Sequence, residues 1–103
     1  MYLLDHLQEW ARGKAQIFTS GSFAVAVSEV LGKEKKARYV ELEGNNLLAR
    51  ATLWEDGALE LEAINEQSET VIQSSRATPT SAQLDDSLNW WLSEISTYVP
   101  PAA

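Results

Sequence analysis

The stretch Leu47-Leu48-Ala49-Arg50-Ala51-Thr52-Leu53-Trp54-Glu55-Asp56-Gly57-Ala58-Leu59-Glu60-Leu61-Glu62-Ala63-Ile64 decides the fold. Leu47, Ala49, Ala51 and Leu53 share one parity, and Leu48, Arg50, Thr52 and Trp54 the other. A period of two is that of a strand with one buried face. After Glu55-Asp56-Gly57 the alternation resumes, with Leu59, Leu61 and Ala63 against Glu60, Glu62 and Ile64. Register follows from matching faces, because a slip of one residue puts every side chain on the wrong side. A two-residue turn at Asp56-Gly57 sets outward Trp54 opposite inward Leu59 and fails. A three-residue loop with Gly57 in the left-handed position pairs Trp54 with Ala58 and Arg50 with Glu62.

Working outward, Val40 and Leu42 alternate with Tyr39, Glu41 and Glu43. Asn45-Asn46, a pair tolerant of positive φ, then forms a two-residue hairpin turn. That turn pairs Glu43 with Leu48 and Glu41 with Arg50, so both registers keep the apolar faces together. Phe23–Val27 has the β-branched alternation of another strand, and Val71 and Ile72 mark one near Glu69–Arg76, ended by Thr78-Pro79. Leu3, Leu4, Leu7, Trp10 and Ala11 recur at helical spacing, predicting an amphipathic helix from about Leu3 to Ala15. Thr80 with Gln83 three residues on is a capping box, and Leu84, Leu88, Trp91, Leu92 and Ile95 fall on one face of the helix it opens. The expected fold is α+β: an antiparallel β-meander of four or five strands with the N-terminal and C-terminal helices packed on one face. Residues 1–103 are expected to make a single domain, with about 99–103 a short tail.

The chain has 103 residues, 8 Lys+Arg against 15 Asp+Glu, and a formal charge of -7. That balance argues against nucleic acid, whose binding draws on Lys and Arg at phosphates, and against an anionic membrane surface. A basic partner is the consistent reading. Four of the eight basic residues, Lys33, Lys35, Lys36 and Arg38, fall in one stretch with Glu34 as its only acid. The molecule is therefore expected to be acidic with one basic end, which a basic partner should avoid. Cysteine is absent, so no disulfide, thiolate zinc site or Cys nucleophile is possible. Met1–His6 lacks the pattern of a signal peptide, and no apolar run approaches the ~18 residues of a membrane span. A soluble, cytoplasmic bacterial protein is expected.

Residues that could carry chemistry are few. His6, the single histidine, has no Ser, Asp or Glu arranged by spacing to work with it and reads as a solvated or partly buried helix residue. No metal-ligand spacing or phosphate-cradling loop occurs, and no cofactor or metal is expected. Glu41, Glu43, Glu60 and Glu62 share the outward sheet face. With Arg50 placed between Glu41 and Glu62, they read as an exposed charge ladder rather than an acid/base pair. Trp10 and Trp91 lie in the apolar stripes of the helices and read as core. Trp90 and Trp91 are adjacent and cannot point the same way. Trp54 lies on the outward strand face near Tyr39 and the glutamates, either as an interface anchor or beneath a helix or terminal segment.

Leu48–Glu62 resembles the central hairpin of the TriTu immunity proteins, small bacterial proteins of polymorphic toxin systems. The shared features are a strand ending in Arg50-Ala51-Thr52-Leu53-Trp54, an acidic turn with Gly57, and an acidic/apolar returning strand. A first helix containing Glu9-Trp10 and a last helix containing Trp90-Trp91 are similar in layout. Glu66–Pro79 and Lys33–Arg38 carry no part of the likeness. The resemblance implies a non-enzymatic protein that binds a cognate toxin domain, as a monomer or weak dimer, and blocks it by occlusion. The acidic surface suits a basic toxin such as a nuclease. On that reading Trp54 and Tyr39 are the anchors, and Glu43, Glu60 and Glu62 the charged surround. A small acidic secretion chaperone that binds an effector segment is the alternative. A small enzyme acting through the Glu-rich face is the third class.

Overall fold

A computed structural model describes residues 2–100 of the chain. Two helices, α1 (Tyr2–Gly13) and α2 (Ala15–Ser20), precede five strands: β1 (Ala24–Val27), β2 (Ala37–Gly44), β3 (Leu47–Trp54), β4 (Ala58–Asn65) and β5 (Thr70–Ala77). Helix α3 (Ser81–Thr97) follows. The strands form one antiparallel meander in the order β1-β2-β3-β4-β5, the upper of the two strand counts expected. Of the tail expected at about 99–103, Val99 and Pro100 are exposed and outside any helix or strand; residues 101–103 lie outside the described residues. No helix among the described residues is long and apolar enough to cross a membrane.

The registers are those that face matching requires. Glu41 pairs with Arg50 and Glu43 with Leu48, and Arg50 pairs with Glu62 on the other side. Asn45 and Asn46 have φ of 49° and 62°, and Gly57 has φ of 92°. Val40, Leu42, Leu47, Ala49, Ala51, Leu53, Leu59, Leu61, Ala63 and Ile72 are buried on the inward face, beneath the stripes of α1 and α3. Small side chains on the central strand leave volume in that core for the indoles of Trp10 and Trp91, whose ring centroids lie 6.4 Å apart with the planes tilted by 44°.

Polar contacts fix the two long helices side by side. His6 Nε2 lies 2.7 Å from Asp85 Oδ1, and Trp10 Nε1 donates to Asn89 Oδ1 at 3.0 Å. Both pairs advance by one helical turn in the same direction, so α1 and α3 run parallel. The ends of α3 are held by the two meander turns. Asn45 Nδ2 donates to the Ile95 and Tyr98 carbonyls at 2.8 and 2.9 Å, satisfying orphan acceptors at the helix C-terminus. At the other end the Gly57 carbonyl accepts from Thr78 N–H at 2.7 Å and from Thr78 Oγ1 at 2.9 Å. Two residues on, Thr80 and Gln83 form the capping box that opens α3.

The N-terminal helix departs from expectation. It ends at Gly13, and a turn at Lys14 starts α2, which runs to Ser20. Trp10 and Phe18 stand two helical turns apart, and their rings meet edge-on at 6.1 Å. That contact buries Phe18, and helical structure continues past the expected end near Ala15 to Ser20, where Gly21 caps it.

Gly57 combines a left-handed backbone with close approach: a Cβ there would lie 2.9 Å from the Thr78 carbonyl oxygen and 3.0 Å from Pro79 Cα. Gly57→Ala is expected to destabilise the protein by about 1–3 kcal/mol in denaturant unfolding. Unchanged stability would rule out this turn as the clasp for α3.

Candidate protein-binding face

With both long helices on the inward face, the outward face carries recognisable rows across the strands. Ala26, Glu41, Arg50, Glu62 and Gln73 form one row, and Ser28, Tyr39, Thr52, Glu60 and Ser75 the next. Towards the Asn45-Asn46 end lie Ala24, Glu43, Leu48 and Ile64. Towards the opposite end Trp54 stands between Ala37 on β2 and Ala58 on β4. The helices pack on the opposite side of the sheet, so no helix covers Trp54, which is half-buried on the sheet surface beside small side chains.

Arg50 is the only cation among four glutamates on this face, and it takes one side. Its Nε and Nη2 both donate to Glu41 Oε2, at 3.1 and 2.6 Å, and its guanidinium lies 4.3 Å from the centroid of the Tyr39 ring. The hydrogen bond to Glu41 raises the Arg50 pKa above its ordinary value. An exposed pair of this kind contributes only about 0–1 kcal/mol to stability. Glu60 is tied sideways, accepting from Gln73 Nε2 at 3.0 Å and Ser75 Oγ at 2.6 Å. Glu43 and Glu62 are exposed. The five residues singled out from sequence therefore share one face but form no compact cluster: Tyr39 is stacked under Arg50, Glu60 is anchored to β5, and Trp54 stands at one end.

Sequence reasoning placed Leu48 and Ile64 outward without giving them a role. They are cross-strand partners, 42% and 36% exposed, beside a shallow hollow of about 200 Å³ that Glu41, Arg50 and Glu62 also line. The signal was the apolar doublets Leu47-Leu48 and Ala63-Ile64, which break the alternation with polar residues. The face thus offers two apolar points, Leu48/Ile64 and Trp54, with an acidic band between them.

The stretch Lys33–Arg38 does not form a uniform basic end. Arg38 belongs to β2, and its Nη1 donates to the Leu4 carbonyl at 3.1 Å and to Gln8 Oε1 at 3.0 Å on the helix side. Lys35 Nζ lies 2.9 Å from Asp56 Oδ2, across to the β3–β4 turn. Among the described residues no group of three or more His, Asp or Glu is placed to hold a metal ion.

One family model, described as Immunity protein TriTu, matches residues 5–94, from α1 to near the end of α3. Comparison with curated proteins gives no match.

The Lys35 ammonium, helped by the Ala58 N–H, holds the Asp56 carboxyl below the ordinary aspartate pKa. A depressed carboxylate pKa favours the folded state above the unfolded value, and that contribution is lost as pH falls through the folded one. In an NMR titration the Asp56 carboxyl is expected to have its midpoint below that of a model aspartate. Lys35→Ala should move it upward; an unmoved midpoint would refute the pairing.

Proposed function

The chain belongs to the TriTu immunity protein family, and from that premise we propose that it neutralises a cognate toxin by seating the toxin domain on its outward sheet face. The observation that carries this reading is a sheet face left open by helices that all pack on the other side. It bears four glutamates, one arginine already engaged by Glu41, and exposed apolar side chains. Interfaces are built this way, from a few large anchors that bury against a partner and a polar surround that orients it. Trp54 and Tyr39 are the aromatic anchors, joined by Leu48 and Ile64; Glu43, Glu60 and Glu62 are the charged surround.

Occlusion demands nothing of this surface but shape and charge, so no catalytic group is required for it. The acidic band favours a toxin with a positive substrate groove, such as a nuclease. Opposite charge speeds the encounter, and the bound face then covers the groove. The family assignment favours immunity over the secretion-chaperone alternative, and the charge ladder argues against the small-enzyme class.

Co-expression with the cognate toxin domain is expected to restore growth of an arrested host, and failure to rescue would overturn the reading. Trp54→Ala should weaken toxin binding at least tenfold, about 1.4 kcal/mol or more, because hot spots concentrate at large aromatic side chains. Glu60→Gln with Glu62→Gln should act mainly on the association rate and its salt dependence. Full affinity in Trp54→Ala would remove the indole from the interface.

A further inference from the structure

The sheet has two open edges, and they are defended unequally. β5 carries a register shift opposite Ala63/Ile64 and is lined by Thr70, Gln73, Ser75 and Arg76. Bulges, charge and polarity of this kind discourage strand addition. β1 is Ala24-Val25-Ala26-Val27, with no charge, no proline and all four residues exposed.

Its free hydrogen-bonding groups can be assigned. Ser28 N–H donates to the Tyr39 carbonyl at 2.9 Å, and Ala26 and Ala24 pair with Glu41 and Glu43 in the same phase. Antiparallel pairing alternates, so these residues face β2, while the N–H and C=O groups of Val25 and Val27 point to the open edge. The two sides of that edge differ in chemistry. On the helix side Val25 and Val27, 44% and 38% exposed, line a groove of about 220 Å³ with Ala11 and Ala15 of the N-terminal helices, Gln8 and Arg12 also bordering it. On the outward side Ala24 and Ala26 present only methyl groups, and the Glu41 and Glu43 carboxylates stand behind them around a hollow of about 100 Å³. Strands lie about 4.8 Å apart, so a lysine or arginine on an added strand reaches across the alanines to those carboxylates.

We propose that β1 receives an extended segment of the toxin as a sixth strand, with apolar residues on the helix side alternating with lysine or arginine on the outward side. The proposal rests on the immunity reading and names a segment chemistry for its partner. It continues the proposed face rather than competing with it, since Glu41 and Glu43 belong to both. A second copy of the chain fits less well. Two copies would each bring a charge of -7, and a four-residue strand falls well short of the roughly 1,200–2,000 Å² that stable interfaces bury.

The test uses a short acetylated, amidated peptide in which valine alternates with lysine, followed by amide hydrogen exchange in the whole protein. Saturating peptide is expected to slow exchange at the Val25 and Val27 amides at least tenfold, while a valine–glutamate peptide leaves them unchanged. No slowing, or equal slowing by both peptides, would overturn the proposal. Val25→Pro removes an N–H that β2 does not use and should cost at least tenfold in affinity for the toxin domain. Should that variant misfold, exchange at Val25 and Val27 in the wild-type complex with the toxin gives the same reading. A toxin that binds wild type and Val25→Pro equally, without protecting Val25 and Val27, overturns strand addition and leaves immunity standing. A toxin that does not bind wild type at all overturns both. A concentration-dependent dimer in light scattering that Val25→Pro abolishes would make a second copy the occupant.

Discussion

The clasp between α3 and the two turns of the central hairpins is the constraint on which the remaining structure depends. Seventeen helical residues at 1.5 Å each span about 25 Å, and the eight residues of β3 span about 26 Å. The matched lengths let Asn45 hold one end of the helix while Gly57 holds the other through Thr78. Once α3 is fixed along the sheet, the His6–Asp85 and Trp10–Asn89 contacts set α1 beside it. The core then closes on one face only. The Trp91 indole, buried at the centre, has its N–H satisfied by the Glu62 carbonyl of β4 at 3.2 Å.

Most of this was legible in the sequence because two periodicities and two turns speak independently. The parity of Leu47–Leu53 and Leu59–Ala63 admitted one register, and the positive-φ tolerance of Asn45-Asn46 and Gly57 placed the turns at the same points. Agreement between local turn chemistry and face pattern is what makes such a reading firm. What escaped was decided by contacts between distant residues. Helix α2 persists because Phe18 finds Trp10, and nothing local to Thr19-Ser20-Gly21 announces it. Arg38 reads as part of a basic run, yet its strand parity sends it to the helix side, where Leu4 and Gln8 take its donors.

The candidate face was legible as a set of residues and illegible as a surface. Sequence put Tyr39, Glu43, Trp54, Glu60 and Glu62 on one side of the sheet, but only three dimensions show Arg50 committed to Glu41 and stacked on Tyr39. The covered side of the sheet was likewise undetermined, because both helices are amphipathic and either face could in principle have received them. Edge exposure is the least visible property of all. Phe23–Val27 reads as a strand from composition alone, whereas its place at the edge of the sheet depends on the order of all five strands.

The strict alternation of the strands has a consequence for how such a protein can change over generations. Every second residue of β3 and β4 belongs to the core, and the side chains between them lie on the opposite face of the sheet. Residues required for folding and residues open to exchange are thus interleaved along the same strands yet physically separated by the thickness of the sheet. Outward side chains can be exchanged while the buried set and its two turns stay fixed, so under the proposed docking mode toxin choice is free to change. An arms race fought on the proposed face would then leave untouched the stability stored on the other.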